Sequence, residues 1–353
     1  MIIKKLKVVD FRNFSACEIE PCAETNIICG DNAVGKTNLI EAIWMLTGAK
    51  SFKNVRDNEL IKFEKKEAQI EANFISQGIE ENLKIKIKEK RQFLLNNKRQ
   101  NNSSNIIGKF CAVVFSPIDL NLVTDSPQVR RKFLDTAICQ LYPKYIEILR
   151  QYNRAVIQRN DILKDCIKDA SLKFLLEDFE KIIVEYGEKI VSYRKRYIEL
   201  LNQHTPKIYS ELSQNKEFFT IEYLCSYKNS LKDELISKKP IDILHGVTSV
   251  GPHRDDIVFK INSFNAKEYS SQGQKRSICL SLRLAQANII EKIIGEKPVT
   301  LLDDVMSELD KHRQNYIINH IKDRQVFITC CDETNFENLE KGKVFYIENG
   351  QVK

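Results

Sequence analysis

The chain of 353 residues has no run of eighteen or more apolar residues, the length a helix needs to cross a bilayer. No membrane association is therefore expected. Its opening, Met1 to Val9, alternates like a strand and lacks the apolar core of a secretory leader. The ten cysteines are Cys17, Cys22, Cys29, Cys111, Cys139, Cys166, Cys225, Cys279, Cys330 and Cys331, and no two form a C-x-x-C pair. That spacing argues against a zinc ribbon or redox dithiol. Several lie in apolar runs, where cysteine behaves as a small buried hydrophobe, so a reducing, cytoplasmic setting is expected. Strong charge of one sign is also lacking: 55 basic against 48 acidic residues leave a net +7. That permits a polyanionic partner without requiring one. Hydrophobic residues at 42% and charged residues at 29% fit an ordinary globular protein, and the length suggests two domains or one large domain with an insertion.

What is present is led by Gly30-Asp31-Asn32-Ala33-Val34-Gly35-Lys36-Thr37. This reads G-x-x-x-x-G-K-[ST], a loop that wraps the phosphates of ATP or GTP. The apolar run Ile27 to Cys29 before it suits a buried strand, and Asn38 to Leu46 after it carries apolar residues at helical spacing. Glycines let backbone N–H groups turn toward the phosphates, and a helix start adds a favourable dipole. Lys36 can reach the β- and γ-phosphates, and Thr37 can offer its hydroxyl to Mg²⁺.

Along the chain, residues 1–29 read as strands broken at Phe11-Arg12-Asn13-Phe14. Arg12 is a candidate for the nucleotide site; the plainer reading is a solvated turn arginine. Lys53 and Arg56, in the polar loop after the phosphate-loop helix, are weaker phosphate candidates. From Gln69 to Leu95 the pattern alternates, and Lys84, Lys86 and Lys88 form an outer face, as in a half-exposed antiparallel sheet. Cys111 to Phe115 is another buried-strand candidate. Between Tyr142 and about residue 213 the period is helical. Leu172, Leu175, Phe179, Ile182, Tyr186, Ile190, Tyr193, Tyr197 and Leu200 form an apolar stripe, in a helical hairpin that bends at 164–171. Heptads are not sustained far enough for a coiled-coil arm. Strand signals resume at Phe219 to Leu224, and Gly251-Pro252-His253-Arg254-Asp255-Asp256 then reads as a turn.

Two further clusters follow. Tyr269 to Lys275, with Ser271, Gly273 and Gln274, opens a helix; serine there can simply cap free N–H groups, and the same geometry can receive an anion. About thirty residues later Val299 to Leu302 is an apolar strand ending in Asp303 and Asp304. One carboxylate can hold Mg²⁺, usually through water, and the next can orient or deprotonate an attacking water.

Taken together these motifs resemble the ATP-binding-cassette ATPases. Within that class the chain resembles the RecF family of bacterial recombination and repair proteins, related to the heads of SMC proteins. The likeness spans the whole length. Beside the phosphate loop it includes Asp10-Phe11-Arg12-Asn13, Ser51-Phe52-Lys53, Ser116-Pro117, Arg130-Arg131 with Phe133-Leu134-Asp135, the hexapeptide at Gly251, Ser271 with Gly273-Gln274, and Asp303-Asp304 with Ser307 to Asp310. The resemblance implies an α/β fold: an ABC-type, SMC-head-like P-loop ATPase domain with an antiparallel subsheet and an inserted helical lobe. The expected division is 1–115 plus 245–353 for the ATPase domain and 116–244 for the lobe. It implies a nucleotide site running from Gly30 to Asn38, with Arg12, and with Ser271, Gly273 and Gln274 acting on the ATP of another subunit. Thr37 and Asp303 would hold Mg²⁺; Asp304, Lys36 and Ser271 would take part in hydrolysis, and Asp310 would line the dimer seam.

The family further implies an ATP-dependent homodimer and binding to DNA at single-strand/duplex junctions. It implies a role in repair, replication and SOS induction, with RecR as direct partner and RecO and RecA in the same pathway. Candidate DNA contacts are the lysine face at 84–98, Arg130 to Lys132, and Arg194 and Arg196. Three departures stand out. Asp304 replaces the glutamate of transporter ATPases, which suggests slow turnover; Cys330-Cys331 stands where they carry a switch histidine; and Lys53 stands where an arginine is expected. A transporter ATPase subunit is the main alternative. An SMC-type structural protein would need long arms, and a P-loop enzyme for a small substrate would turn over independently of DNA.

Overall fold

The computed structural model describes residues 1–331, 342–348 and 350–352. Strands β1 (Ile2–Phe11), β2 (Phe14–Ile19) and β3 (Thr25–Cys29) lead to helix α1 (Lys36–Met45). Next come β4 (Ala68–Ser76), β5 (Ile79–Ile87), β6 (Gln92–Leu95), β7 (Lys98–Gln100) and β8 (Ala112–Phe115). Helices α2 (Asn121–Thr124), α3 (Pro127–Leu141), α4 (Lys144–Cys166) and α5 (Leu176–Leu212) follow. Then β9 (Phe219–Leu224), α6 (Leu231–His245), β10 (Asp256–Ile261), β11 (Phe264–Asn265) and α7 (Ala266–Tyr269) precede α8 (Gln272–Ile294). The chain closes with β12 (Val299–Leu302), α9 (Lys311–His320), β13 (Val326–Cys330), β14 (Gly342–Glu348) and β15 (Gln351–Val352).

The chain divides into two compact units: 1–120 with 211–215 and 276–353, and 121–210 with 216–275. In the first, one sheet has the order β15-β14-β3-β13-β12-β8, parallel except at β15. Its strands β3, β13, β12 and β8 are almost wholly apolar and buried, as parallel strands covered on both faces require. The second sheet is antiparallel, β2-β1-β4-β5-β6-β7. On β4 and β5 buried residues alternate with half-exposed ones, and Asn96 and Asn97, both at positive φ, close the tight turn to β7. The lysines of its outer face are largely matched by acids: Lys84 meets Glu71 at 2.9 Å and Lys88 meets Glu67 at 2.5 Å.

The second unit extends well past the expected limit at 244. β10 pairs antiparallel with β9 along its whole length, from Asp256 opposite Leu224 to Ile261 opposite Phe219. This ladder draws residues up to Lys275 into the same body as the helices, so the inserted unit is a helical lobe with its own three-stranded sheet. The long-helix face also differs from the apolar stripe. Of the nine expected residues, Ile190 and Tyr197 are fully buried, while Leu175 is exposed. The buried line instead runs through Leu176, Glu180, Ile183, Gly187, Ile190, Arg194, Tyr197 and Leu201. Polar residues and a glycine occupy inward positions because each has a specific partner there. Glu180 receives Arg159 at 3.0 Å, and Gly187 lets the Leu231 side chain approach to where a Cβ would lie within 2.6 Å of it.

Those partners include the hexapeptide. Gly251 has φ 125 and a Cβ there would fall 2.4 Å from the Tyr152 hydroxyl, so only glycine fits. Arg194 donates to the Pro252 carbonyl at 2.6 Å and forks onto Asp135 at 2.8 and 2.9 Å. Asp255 accepts the Ser226 N–H at 2.7 Å and is bonded by the Tyr223 hydroxyl. Asp256 receives Arg130 bidentately at 2.8 and 3.0 Å. Arg130 and Arg194 are thus buried structural ions rather than DNA contacts, and Arg131 donates to the Asp255 carbonyl. Arg196 stays exposed, its guanidinium 6.0 Å from the Tyr142 ring centroid.

His253 supplies a pH dependence. Its Nε2 lies 3.0 Å from the Thr248 carbonyl, which can only accept, so Nε2 carries the proton and Nδ1 accepts from the Tyr152 hydroxyl at 2.6 Å. Burial, reinforced by Arg254 and Arg131, holds its pKa down at about 4. The unfolded chain takes up this proton near pH 6.5 and the folded chain only near 4. The contribution is therefore complete above pH 6.5 and is lost as pH falls toward 4, by up to about 3 kcal/mol. Urea denaturation at stepped pH should show this slope in the native protein and a flatter one in His253→Gln.

Candidate nucleotide-binding site

The candidate site lies in the first unit, where β3, β13 and β12 end at the same edge of the parallel sheet, the edge where open α/β sheets bind ligands. The loop from Gly30 to Gly35 turns back on itself there. Gly30 has φ 152 and Gly35 φ 118; a Cβ would lie 2.6 Å from the Ile347 carbonyl oxygen at the first and 2.5 Å from Asn13 Nδ2 at the second. Ala33 also has positive φ, at 68°. α1 starts at Lys36, and the N–H groups of Asn38 and Leu39 already bond the Gly35 carbonyl. Its face is almost wholly buried from Leu39 to Met45.

Side chains from three segments hold this loop. Asn13 Nδ2 donates to the Val34 carbonyl at 2.5 Å, Asn38 donates to Asn13 Oδ1 at 2.9 Å, and Lys53 donates to Asn38 Oδ1 at 3.1 Å. Arg12, at φ 55, forks onto Glu41 at 2.9 and 3.0 Å and donates to the Glu59 carbonyl at 3.0 Å. Glu41 is fully buried on α1 and also accepts the Ser51 hydroxyl. Arg12 therefore ties the β1–β2 hairpin to the phosphate-loop helix, and two of its five N–H groups remain beyond these bonds. Lys53 sits close enough to Glu41 and Asp303 to feel both charges. Burial nevertheless lowers its pKa, with Arg12 acting in the same direction.

Lys36 reaches back over the loop. Its Nζ donates to the carbonyls of Gly30 at 2.7 Å and Asp31 at 2.9 Å and lies 3.4 Å from Cys331 Sγ, which in turn contacts Asn32 at 3.1 Å. Cys29 and Cys330, in register on β3 and β13, have their sulfurs 3.0 Å apart. None of the ten cysteines is in a disulfide.

Thr37 hydrogen-bonds to Asp303, which ends β12. Burial raises the Asp303 pKa against the pull of Thr37, Lys53 and Thr329. A threonine hydroxyl and a buried carboxylate are hard oxygen donors, the set Mg²⁺ prefers. Asp304 is exposed at φ 54; its N–H donates to Thr329 Oγ1 at 2.8 Å, and Ser307 Oγ donates to its carbonyl and to Oδ1 at 3.1 and 3.0 Å. Asp310 caps α9 through the Arg313 N–H at 2.9 Å.

Ser271, Gly273 and Gln274 lie in the second unit. Ser271 Oγ accepts the Gln274 N–H at 3.2 Å while Gln274 Oε1 accepts the Ser271 N–H at 2.7 Å, a reciprocal cap at the start of α8. Gln274 also donates to Glu217 at 2.6 Å. Ser271 is exposed.

The phosphate-loop residues, Asn38, Arg12, Asp303 and Asp304 thus share one edge of the first unit. Glu41 and Thr329 carry much of the site's bonding, yet the motifs single out neither. Glu41 reads as one more helix residue and Thr329 as the last residue of an apolar strand; an acid or hydroxyl placed in an otherwise apolar buried run was the available signal.

A parallel sheet carrying a phosphate loop, with an acid-tipped strand two places away and a separate antiparallel sheet, is the architecture of ABC-type, SMC-head-like ATPases. The model for the RecF/RecN/SMC N-terminal domain matches residues 2–353. The DNA replication and repair protein RecF of Clostridium kluyveri is 38% identical over 362 positions, covering 100% of this chain and 99% of that protein. A solved structure of the recombination mediator protein RecF with ATP, from the RecFOR pathway, is 35% identical with a TM-score of 0.93, covering 100% of this chain and 97% of that one. An Smc head domain of Pyrococcus furiosus with an extended coiled coil shares the fold, with a TM-score of 0.54 at 17% identity over 100% of this chain and 95% of that one. The chain belongs to the RecF family of DNA replication and repair proteins. These matches do not favour the transporter subunit weighed above, and among the described residues no helix is long and apolar enough to cross a membrane.

The loop geometry makes Gly35 the sharpest test of the site. Gly35→Ala adds a clash with Asn13 to backbone strain of about 1–3 kcal/mol. Titration calorimetry should show ATP affinity lowered by roughly tenfold or more.

Proposed function

We propose that this chain is an ATP-dependent DNA-binding protein of replication and recombinational repair, whose copies close head to tail on two ATP molecules. The observation that carries the reading is the division of the candidate nucleotide-binding residues. Gly30 to Asn38, Asp303 and Asp304 belong to one compact unit, while the exposed, capped helix start at Ser271 belongs to the other. Each site is completed by the Ser271, Gly273 and Gln274 of a second copy, so ATP acts as a reversible cement that gates DNA binding.

In this reading loop N–H groups and the helix start bind the phosphates, and Lys36 exchanges its carbonyl partners for phosphate oxygens. Arg12 holds the loop's neighbour helix in place through Glu41 and keeps donors to spare. Thr37 and Asp303 hold Mg²⁺, which when bound neutralises charge on the β- and γ-phosphates. Asp304 orients the attacking water and accepts its proton at the carboxylate. Its side chain is one methylene shorter than glutamate, which makes turnover slow. Asp310 lines the seam between copies. Outside the dimer the partners are gapped DNA and RecR, with RecO and RecA in the same pathway, in a cytoplasmic setting. With Lys84 and Lys88 paired to acids, Arg196 and the other exposed basic residues are the DNA candidates. If they contact phosphates, affinity falls steeply with salt.

Light scattering with and without ATP and Mg²⁺ tests the reading: mass should double with nucleotide, and Ser271→Arg should abolish the doubling while leaving nucleotide affinity nearly intact. A mass that ignores ATP would overturn it. Asp304→Asn should lengthen the life of the ATP-bound dimer, read as the decay of scattering after dilution.

A further inference from the structure

Thr329 ends the apolar part of β13 and is 3% exposed. Its hydroxyl reaches across to both acids at the end of β12. It donates to Asp303 Oδ1 at 3.3 Å and accepts the Asp304 N–H at 2.8 Å. One hydroxyl has a single proton and two lone pairs, and this arrangement uses donor and acceptor together. The bridge matters because the two acids are consecutive. A chain that stayed extended would send neighbouring side chains to opposite faces. Asp304 instead turns left-handed, at φ 54, a conformation a non-glycine residue keeps only where its surroundings hold it. Its N–H is fixed by Thr329 on one side, and its carbonyl and Oδ1 are fixed by Ser307 on the other. The neighbouring residues of the β13 end are otherwise engaged: Cys330 lies against Cys29, and Cys331 against Lys36 and Asn32.

We propose that Thr329 is the positioning residue that fixes Asp303 and Asp304 relative to one another, setting the angle at which Asp304 meets the attacking water. This rests on the reading of Asp304 given above. The strand end that carries a switch histidine in transporter ATPases would here act through a buried hydroxyl bridging the two acids, not through a ring facing the γ-phosphate. Without the hydroxyl, Asp303 loses one hydrogen-bond donor and the Asp304 N–H loses its acceptor, so the left-handed turn is no longer pinned from the β13 side. Orientation of a catalytic carboxylate has to hold to within about 0.5 Å. Loss of the bridge therefore acts on turnover more than on binding.

The test compares full-length Thr329→Val, which keeps the shape, with Thr329→Ser, which keeps the hydroxyl, and with Asp304→Asn as reference. ATP turnover is resolved into kcat and KM, ATP affinity is measured by equilibrium titration, and the lifetime of the ATP-bound dimer by light scattering. Thr329→Val should lower kcat about tenfold, the size expected for one positioning hydrogen bond. Its ATP affinity should stay within about twofold of the native value, and its dimers should persist longer, as in Asp304→Asn. Thr329→Ser should recover most of the lost turnover and the native dimer lifetime. Native turnover in Thr329→Val, a Thr329→Ser no better than Thr329→Val, or loss of affinity in step with kcat would each overturn the inference and leave the reading of Asp304 standing. Native turnover in Asp304→Asn would overturn that reading and the inference with it.

Discussion

A buried ammonium must be solvated by the protein around it, and Lys36, at 9% exposure, meets that demand with two main-chain carbonyls of its own loop. Carbonyls can face inward at Gly30 and Asp31 only if the loop doubles back, which requires the positive φ angles at Gly30 and Gly35. Room for Gly35 depends in turn on Asn13, whose amide holds the Val34 carbonyl. Asn13 sits at the tip of the β1–β2 hairpin, and that tip is fixed to α1 by the Arg12–Glu41 fork. The antiparallel sheet is therefore more than a flank. Its first turn is the buttress on which the phosphate loop leans, and a change in the hairpin is a change in the nucleotide site.

Buried ion pairs run through the apolar core of the second unit. Arg159 is wholly buried between Glu180 and Asp242, Arg194 lies on Asp135, and Arg130 on Asp256. Breaking one partner of such a pair leaves an uncompensated charge and costs about 3–5 kcal/mol. These pairs are directional, so they specify which helix faces which strand more sharply than leucines would. The hexapeptide from Gly251 to Asp256 is where the Arg130 and Arg194 ions meet, on Asp256 and the Pro252 carbonyl, with the His253 ring and Asp255 bonded beside them. Its resemblance to a family motif reflects packing as much as chemistry.

This also explains what could be read in advance. The phosphate loop, its strand and its helix are contiguous, and their geometry follows from local residue types, so the sequence is sufficient there. Asp303 and Asp304 are legible for the same reason, as acids ending an apolar strand. The buried face of α5 differs from the apolar stripe because periodicity counts Glu180, Gly187 and Arg194 as outward positions, while Glu180 meets Arg159 21 residues away and Arg194 meets Asp135 59 residues away in the chain. The boundary at 244 failed because the β9–β10 ladder is a long-range pairing that no local pattern marks. Arg130 and Arg194 look like DNA contacts in composition, since basic residues near a helix are ordinarily solvated, and only the fork onto a distant carboxylate reveals otherwise. Thr329 hides for a related reason: its two bonds cross from one strand to the end of another.

The acid end of β12 links these points to the proposed turnover. A carboxylate that orients water works best when its angle is fixed and its environment is dry. Asp304 would meet the first condition through Thr329 and Ser307, but it is exposed and stands in solvent until something covers it. The second copy in the proposed sandwich would bring its Ser271 helix start against this edge and exclude water there. In that reading hydrolysis and association would be coupled by burial itself: a single copy holds its two acids in place but leaves Asp304 in open solvent. A short aspartate, held firmly and waiting for a cover, would suit the slow turnover and lasting dimer proposed above.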